Sequence, residues 1–392
     1  MKFTEIRERD KAYVMPTYHR FPVALVSGKG AVAKDTDGRE YVDFTSGIGV
    51  NCLGYADPEW AKAVAGQAAK LSHCSNLFYS PVQGLAAEEL CRLSGMGKVF
   101  FCNSGAEANE CAIKVARRYG ERLLGSGRTE ILTLKNSFHG RTLTTLAATG
   151  QMQFHKDFIP LTPGFRYAEP DMESVKAEVT DRTCAVLVEL IQGEGGVVPL
   201  SREFVVSLRD FCTVHHLLFM VDEVQTGVGR TGTFYCYQSY GVAPDVVTSA
   251  KALAGGIPMG ACLCSEGLGE GLGPGMNGST FGGNPIACAG ALVVLRRVGD
   301  PGFLKKVREK GAFFRKELRE MTGIASVRGA GLMLGAKPQC GSPEKIAARC
   351  AEKGLLILTA KDVLRLLPPL TVTKEEVMKG LSILRETLTE FQ

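Results

Sequence analysis

No run of apolar residues in this 392-residue chain approaches the length that crosses a bilayer. The opening MKFTEIRERDKAY is charged from the start, where a secretory signal needs an apolar core. The expectation is a cytoplasmic protein. No stretch of five or more basic residues occurs, and the formal net charge is only +5. That argues against a dedicated nucleic-acid surface and leaves small anions as candidate ligands. No CxxC pair exists among the 13 cysteines, and several stand inside apolar runs, such as Cys184 in CAVLVEL and Cys212 ahead of HHLLFMVD. They read as reduced core thiols. The one CxC, Cys262 and Cys264 in GACLC, would turn both thiols to one strand face, a weak metal signal. The six histidines show no metal-ligand spacing, and the adjacent His215 and His216 suit the end of a helix. Low-complexity segments and internal repeats are also missing. No GxGxxG follows a strand and opens a helix, which disfavours a dinucleotide-dependent dehydrogenase.

What is present is a globular enzyme's composition, 45% hydrophobic and 22% charged, at a length that suggests two packed domains. Residues 1–45 read as an extended lead-in. Within it, VALVSGKGAVAKDTDGREYVDF alternates apolar and polar residues around a turn at Asp37-Gly38, a small antiparallel element. From about residue 98, short apolar strands (KVFFC, ILTLK, CAVLVEL, LLFMVD, DVVTSA, MGACLC) alternate with helical stretches. These include Gly105–Tyr119 and an amphipathic segment with Ser201 as its N-cap. Strands this apolar imply a mostly parallel sheet covered on both faces. Beyond about residue 290 an amphipathic GFLKKVREKGAFFRKELREM, a few short strands and a last helix from about Lys374 form an α+β module. The organisation expected is an N-terminal segment (1–45) packing with the small domain, a large domain (46–289) and a small C-terminal domain (290–392).

Two elements carry the chemistry. LLFMVD places Asp222 at the carboxyl end of a buried strand, and DVVTSAK places Lys251 just past the end of another. Ligands of open α/β sheets bind outside those ends, so both residues would face one crevice. A buried acid there can hold a protonated ring nitrogen, and a buried lysine with a lowered pKa becomes a nucleophile towards aldehydes. An isolated Asp and Lys would read as a buried ion pair. FCNSGAEANECAIKVARR supplies the third part: strand, Ser-Gly, helix, with free N–H groups at Gly105 and Ala106 aimed at an anion such as phosphate. In KNSFHGRTL, Phe138 could stack on a planar ring.

The order TYHRFPVALVSGKG, NSGAEAN, FHGRT, IQGEGG, DEVQTGVGRTG, SAKALAGG, STFGGNP, RLLPPLT resembles the class III (ω-type) aminotransferases of the fold-type I pyridoxal 5′-phosphate (PLP) enzymes over nearly the whole chain. Within them it most resembles the acetylornithine aminotransferase branch. The resemblance implies an α/β fold with a large mostly parallel sheet and a smaller α+β domain. It implies that Lys251 forms the Schiff base with PLP and shuttles the proton, and that Asp222 pairs with the ring nitrogen. Gln225 would reach the ring's phenolic oxygen, and Phe138 and Val224 would sandwich the ring. Glu223, between Asp222 and Val224, is counted with the cofactor contacts. Gly105 and Ala106 would bind the phosphate. Thr280 would reach the phosphate of the neighbouring subunit's cofactor, with Ser279 near the substrate, which implies a homodimer with shared sites. Arg141 and Arg365 would bind carboxylates, with Tyr18 beside the substrate. Glu194 would pair with Arg365 while the amine donor is bound and swing away for glutamate.

The expected reaction moves the terminal amine of an acylated ω-amino acid, N-acetylornithine in this branch, to 2-oxoglutarate in two ping-pong halves. Ornithine, succinyl-diaminopimelate and 4-aminobutyrate are the alternative donors. Where ornithine enzymes carry a tyrosine for the free α-amino group, TSGIGVN has Gly47 and Ile48, which offer an ammonium no partner and disfavour its burial. An aminomutase or decarboxylase is disfavoured by Glu194 with Arg365, and a non-catalytic relative by the presence of Lys251. Tyr55, Asp57 and Leu190 depart from the family pattern, which often has two histidines and a proline there, without touching this chemistry.

Overall fold

A computed structural model of the chain describes residues 1–125 and 127–392. The lead-in is not wholly extended. It begins with a helix, α1 (Phe3–Tyr13), that buries none of its residues. Its apolar positions are too few to make a core-facing stripe, and Glu5 closing back on the Lys2 amide (3.2 Å) is the kind of local contact that favours the helix. The antiparallel element follows as β1 (Leu25–Lys29), β2 (Val32–Asp35) and β3 (Glu40–Asp43). Gly38, at φ +80, makes the expected turn between β2 and β3. After a tight turn, α2 (Ser46–Gly49), come α3 (Pro58–Ala68) and α4 (Pro81–Ser94), both with proline in the first turn.

The large sheet is built from β4 (Lys98–Cys102), β5 (Glu130–Leu134), β6 (Phe165–Ala168), β7 (Thr183–Val188), β10 (Leu218–Asp222), β11 (Val246–Ser249) and β12 (Gly260–Cys264), in the order β4-β12-β11-β10-β7-β5-β6. Between β7 and β10 lies a two-stranded ribbon, β8 (Ile191–Gln192) with β9 (Val198–Pro199). Only β12 runs against its neighbours. Strands β7, β10, β11 and β12 are buried at every position, which is why they read as continuous apolar runs rather than alternating ones. Helices between the strands include α5 (Gly105–Tyr119), α6 (Leu143–Ala148), α7 (Met172–Glu178), α8 (Arg202–Val214) and α9 (Tyr237–Tyr240). Ser201 caps α8 by accepting the Phe204 N–H. Cys262 and Cys264 are buried in an apolar cluster with Cys111, and all 13 cysteines are free. No group of His, Cys, Asp or Glu among the described residues is arranged to hold a metal.

Helix α10 (Pro285–Val298) runs through the expected 289/290 boundary and packs on α3 and α4. Then follow α11 (Pro301–Arg319), the hairpin β13 (Ile324–Ala330) with β14 (Met333–Pro338), α12 (Pro343–Lys353), β15 (Leu355–Leu356), β16 (Leu358–Ala360), β17 (Val363–Leu366) and α13 (Lys374–Thr389). β13, β14, β17 and β16 form a second sheet, while β15 adds parallel to β3 and so ties the lead-in to the C-terminal part. Two of the family departures hold structure. Tyr55 donates to Asp43 at 2.7 Å, and Asp57 caps α3 and pairs with Arg297 at 2.5 Å. No helix among the described residues is long and apolar enough to cross a membrane.

Candidate active site

The carboxyl ends of β4, β5, β7, β10 and β11 open on a cavity of about 480 Å³, within the range of small-molecule sites. Ser104, Gly105, Ala106, Phe138, Arg141, Asp222, Val224, Gln225 and Lys251 all line it. The topology thus brings together residues far apart in the chain, from Ser104 to Lys251, because successive crossovers return parallel strands to the same edge of the sheet.

Each residue has a local cause. Ser104 caps α5 by accepting the Glu107 N–H at 3.2 Å, which leaves the Gly105 and Ala106 N–H groups at the positive end of a 15-residue helix. A side chain at Gly105 would put its Cβ 2.7 Å from Val224, so only glycine lets that helix end approach the floor of the cavity. Asp222 is buried, and both of its carboxylate oxygens are held. Oδ2 accepts from Asn109 Nδ2 and meets His139 Nδ1, both at 2.8 Å, while Oδ1 accepts the Val224 N–H at 3.0 Å. Asn109 is in turn fixed by the Thr248 hydroxyl at 2.7 Å. Lys251 follows β11 with φ +46, a left-handed conformation that costs a lysine on the order of 1 kcal/mol and marks a site held by its surroundings. Burial pushes its ammonium below the usual lysine range, and the nearby Arg365 adds to this while Glu194 and Asp222 oppose it.

Beside the cavity, Arg365 on β17 reaches across to Glu194, with Nη1 2.5 Å from Oε1, and to Gln225 Oε1 at 3.4 Å. Arg365 is buried and its Nε has no partner. Burial raises the Glu194 carboxyl, but Arg365 and then Lys251 outweigh it and hold the group below the usual carboxylate range.

Not every expected residue comes to this cavity. Glu223 is a correction: it is completely buried, but its carboxylate accepts from the Thr226 hydroxyl and from the Tyr237 N–H at 2.9 Å, outside the lining. Successive strand residues point to opposite faces, so the neighbour of Asp222 turns away from the site. Gly47 and Ile48 are exposed left-handed residues (φ 63 and 66) outside this lining, which Val50 of the same segment joins. Tyr18 is 75% exposed with Arg20 over its ring. Ser279 and Thr280 lie on a separate loop, where Ser279 Oγ accepts from Asn103 Nδ2 at 3.1 Å and from the Gly282 N–H.

Three residues of the site escaped the sequence reading. His139 and Asn109 hold Asp222, and each was within reach of a spacing argument. His139 follows Phe138 in FHGRT, and Asn109 lies one helical turn beyond Gly105. Glu189 follows β7 directly, beside the Asp222 end of β10, and accepts the Phe138 N–H at 2.7 Å. Burial pushes its carboxyl upward.

These residues fit pyridoxal 5′-phosphate: an anion cradle at Gly105 and Ala106, a hydrogen-bonded buried acid, and a lysine whose charge is disfavoured, all on one cavity. The family model described as Aminotransferase class-III matches residues 13–388. An acetylornithine aminotransferase of Haemophilus ducreyi is 46% identical over 393 residues, covering 100% of both chains. Another, from Methanocaldococcus jannaschii, is 44% identical with 98% of each covered. Among solved structures, N-acetylornithine aminotransferase of Stenotrophomonas maltophilia superposes with a TM-score of 0.84 at 37% identity, covering 98% of each chain. Ornithine aminotransferase of Toxoplasma gondii superposes with 0.94 at 30% identity, covering 100% of this chain and 96% of its own. The chain belongs to the class III aminotransferases, and its cofactor is pyridoxal 5′-phosphate.

Proposed function

We propose that the protein transfers the terminal amine of N-acetylornithine to 2-oxoglutarate, giving N-acetylglutamate semialdehyde and glutamate, a step of arginine biosynthesis. The observation that carries this reading is the convergence of Lys251, Asp222 and the α5 cradle on one cavity, with the Arg365–Glu194 pair beside it. The acyl group rests on full-length relatives named acetylornithine aminotransferase at 42–46% identity.

When bound, pyridoxal 5′-phosphate supplies an aldehyde for amines and a ring that takes up the electron pair left by C–H ionisation. Gly105 and Ala106 would hold its phosphate by backbone N–H groups. Phe138 and Val224 would hold the ring, and Gln225 would reach its phenolic oxygen. Asp222, fixed by Asn109 and His139, keeps a negative charge at the ring nitrogen. Lys251 would hold the cofactor through its Nζ until the donor's amine displaces it, and the lowered pKa then leaves the freed nitrogen uncharged, able to accept the proton from the substrate carbon bearing the amine. Arg141 takes the donor's carboxylate. Arg365, neutralised by Glu194 while the donor is bound, is released to take the second carboxylate of glutamate.

The working form is a homodimer in which Thr280 of one chain reaches the other chain's phosphate, with Ser279 and Tyr18 near the substrate there. Leu77 (89% exposed), Phe78 (69%) and Phe281 (62%) support this as exposed apolar side chains that a second chain would cover. Asn76 ties the two segments by donating to the Ser279 and Gly282 carbonyls, both at 2.9 Å. The cytoplasm is the compartment we propose, since 13 free thiols suit a reducing environment.

The test is an amino-donor panel with 2-oxoglutarate as acceptor. The expected result is the highest kcat/KM for N-acetylornithine, above ornithine, N-succinyl-diaminopimelate and 4-aminobutyrate. A preference for free ornithine or 4-aminobutyrate overturns the donor while leaving the family chemistry standing.

A further inference from the structure

We infer that Phe154 is a specificity-positioning residue: its ring holds the Arg141 guanidinium in place before a substrate carboxylate arrives. The inference rests on the reading of Arg141 as the carboxylate anchor. Arg141 projects from the loop between β5 and α6 and is exposed at the cavity mouth. No carboxylate of the chain pairs with it among the described residues, in contrast to Arg365. What holds it is aromatic. Its guanidinium carbon lies 4.0 Å from the centroid of the Phe154 ring and 5.4 Å from that of Phe138. The two rings meet edge to face at 6.2 Å and 82°.

The Phe154 contact is the closer by more than an ångström, and Phe138 has another duty as a wall of the cavity. Phe154 does not line the cavity itself; it backs the arginine from behind. Its own position is fixed by a one-turn 3₁₀ helix, Met152–Phe154, closed by its N–H on the Gln151 carbonyl at 3.0 Å. The next residue clamps that turn: buried His155 meets the Thr149 carbonyl through Nε2 at 2.8 Å and packs on Tyr167. The segment therefore presents one aromatic face at a fixed place.

A guanidinium held over a ring's face spends none of its N–H groups on an acid, so its fork stays free to take a carboxylate bidentately. An acidic partner would fix the arginine too, but would have to be displaced at each binding event. The aromatic support leaves the charge unspent and removes side-chain entropy in advance. It also explains why two carboxylate-binding arginines in one site are held differently. Arg365 must be switched off for one substrate and has an acid, whereas Arg141 serves every substrate and has a ring.

The test uses the holoenzyme and N-acetylnorvaline, a donor mimic that keeps the carboxylate and lacks the terminal amine, so that binding is read without turnover. Calorimetry should give a Kd raised roughly three- to tenfold in Phe154→Leu and near wild type in Phe154→Tyr, which restores the face. Steady-state kinetics should show KM for the donor rising by the same factor with kcat within about twofold. Arg141→Lys should weaken binding further, since an ammonium has no fork. Wild-type affinity in Phe154→Leu, with Arg141→Lys weak, overturns the role of Phe154 and leaves the anchor standing. Wild-type affinity in Arg141→Lys overturns the anchor on which the inference rests. Equal losses in Phe154→Leu and Phe154→Tyr, or a fall in kcat with unchanged KM, overturn it in favour of a merely structural ring.

Discussion

Replacing Glu194 by Gln keeps the side-chain volume and removes one charge from the pair that we propose as the substrate switch. Arg365 has Nη1 at 2.5 Å from Glu194 Oε1, a second contact of 3.4 Å to Gln225, and a buried Nε with no partner. Two unit charges 4 Å apart attract by about 4 kcal/mol at an effective dielectric near 20, and desolvation consumes much of that. A hydrogen bond to a charged group nets about 1.5–3 kcal/mol. Freeing Arg365 should therefore lower the KM for glutamate by roughly 10- to 100-fold, the upper end being reduced because Gln can still accept one hydrogen bond. The acylated donor, which brings no second carboxylate, then meets an uncompensated cation, and its KM should rise. Arg365→Ala should do the opposite, weakening the glutamate half far more than the donor half. The two halves are separable by following cofactor absorbance with glutamate alone and with donor alone. Because the Glu194 carboxyl is held below its ordinary range, the pair is intact above about pH 4.3, the unfolded value, and fails as pH falls through the lower native value. The gap between wild type and Glu194→Gln should thus be constant from pH 6 to 9. Equal changes in both half-reactions, or a gap that closes within that range, would refute the switch.

Asp222→Asn should still bind cofactor but lose about 100- to 1,000-fold in kcat, because the amide cannot serve as a full acceptor for Asn109, His139 and Val224 nor keep a charge at the ring nitrogen; near-normal turnover would end that role. Co-expressing Thr280→Ala chains with Lys251→Ala chains should give more activity than the average of the two pure variants, since a heterodimer rebuilds one whole site if Thr280 acts in trans; activity equal to that average would place each site within one chain. Burial pushes Glu223 up to about 7, so the native state holds its proton more tightly than the unfolded chain. That contribution to stability is full below about pH 4.3 and is lost as pH rises towards 7. Thermal unfolding should therefore find Glu223→Gln gaining on wild type as pH rises from 5 to 8, and a difference that is flat or falls with pH would contradict the buried acid.

The chemistry was legible in the sequence because parallel strands end in a stereotyped way. Short runs this apolar, alternating with helices, suit a doubly covered parallel sheet, and ligands of such sheets bind outside the carboxyl ends of the strands. That logic locates Asp222 and Lys251, and the Ser-Gly step before a helix locates the anion cradle at Gly105 and Ala106. The helix Gly105–Tyr119 and the Ser201 cap follow from local rules alone, and the structure has both where the pattern sets them. Local rules do not reach further. Helix α1 buries nothing, so no apolar stripe announces it. Glu223 and Asp222 are adjacent acids in one segment, and only the strand's alternation, set by its pairing with β7 and β11, decides which of them enters the site. Glu189, Asn109 and His139 become neighbours of that site because β7, α5 and the β5–α6 loop converge on one sheet edge. The aromatic hold on Arg141 joins Phe154 to it through a turn that the sequence does not mark. Periodicity and turn chemistry act over a few residues and so fix the elements and their ends, whereas contacts between elements depend on strand order and on which faces pack, and these exist only once the chain has folded.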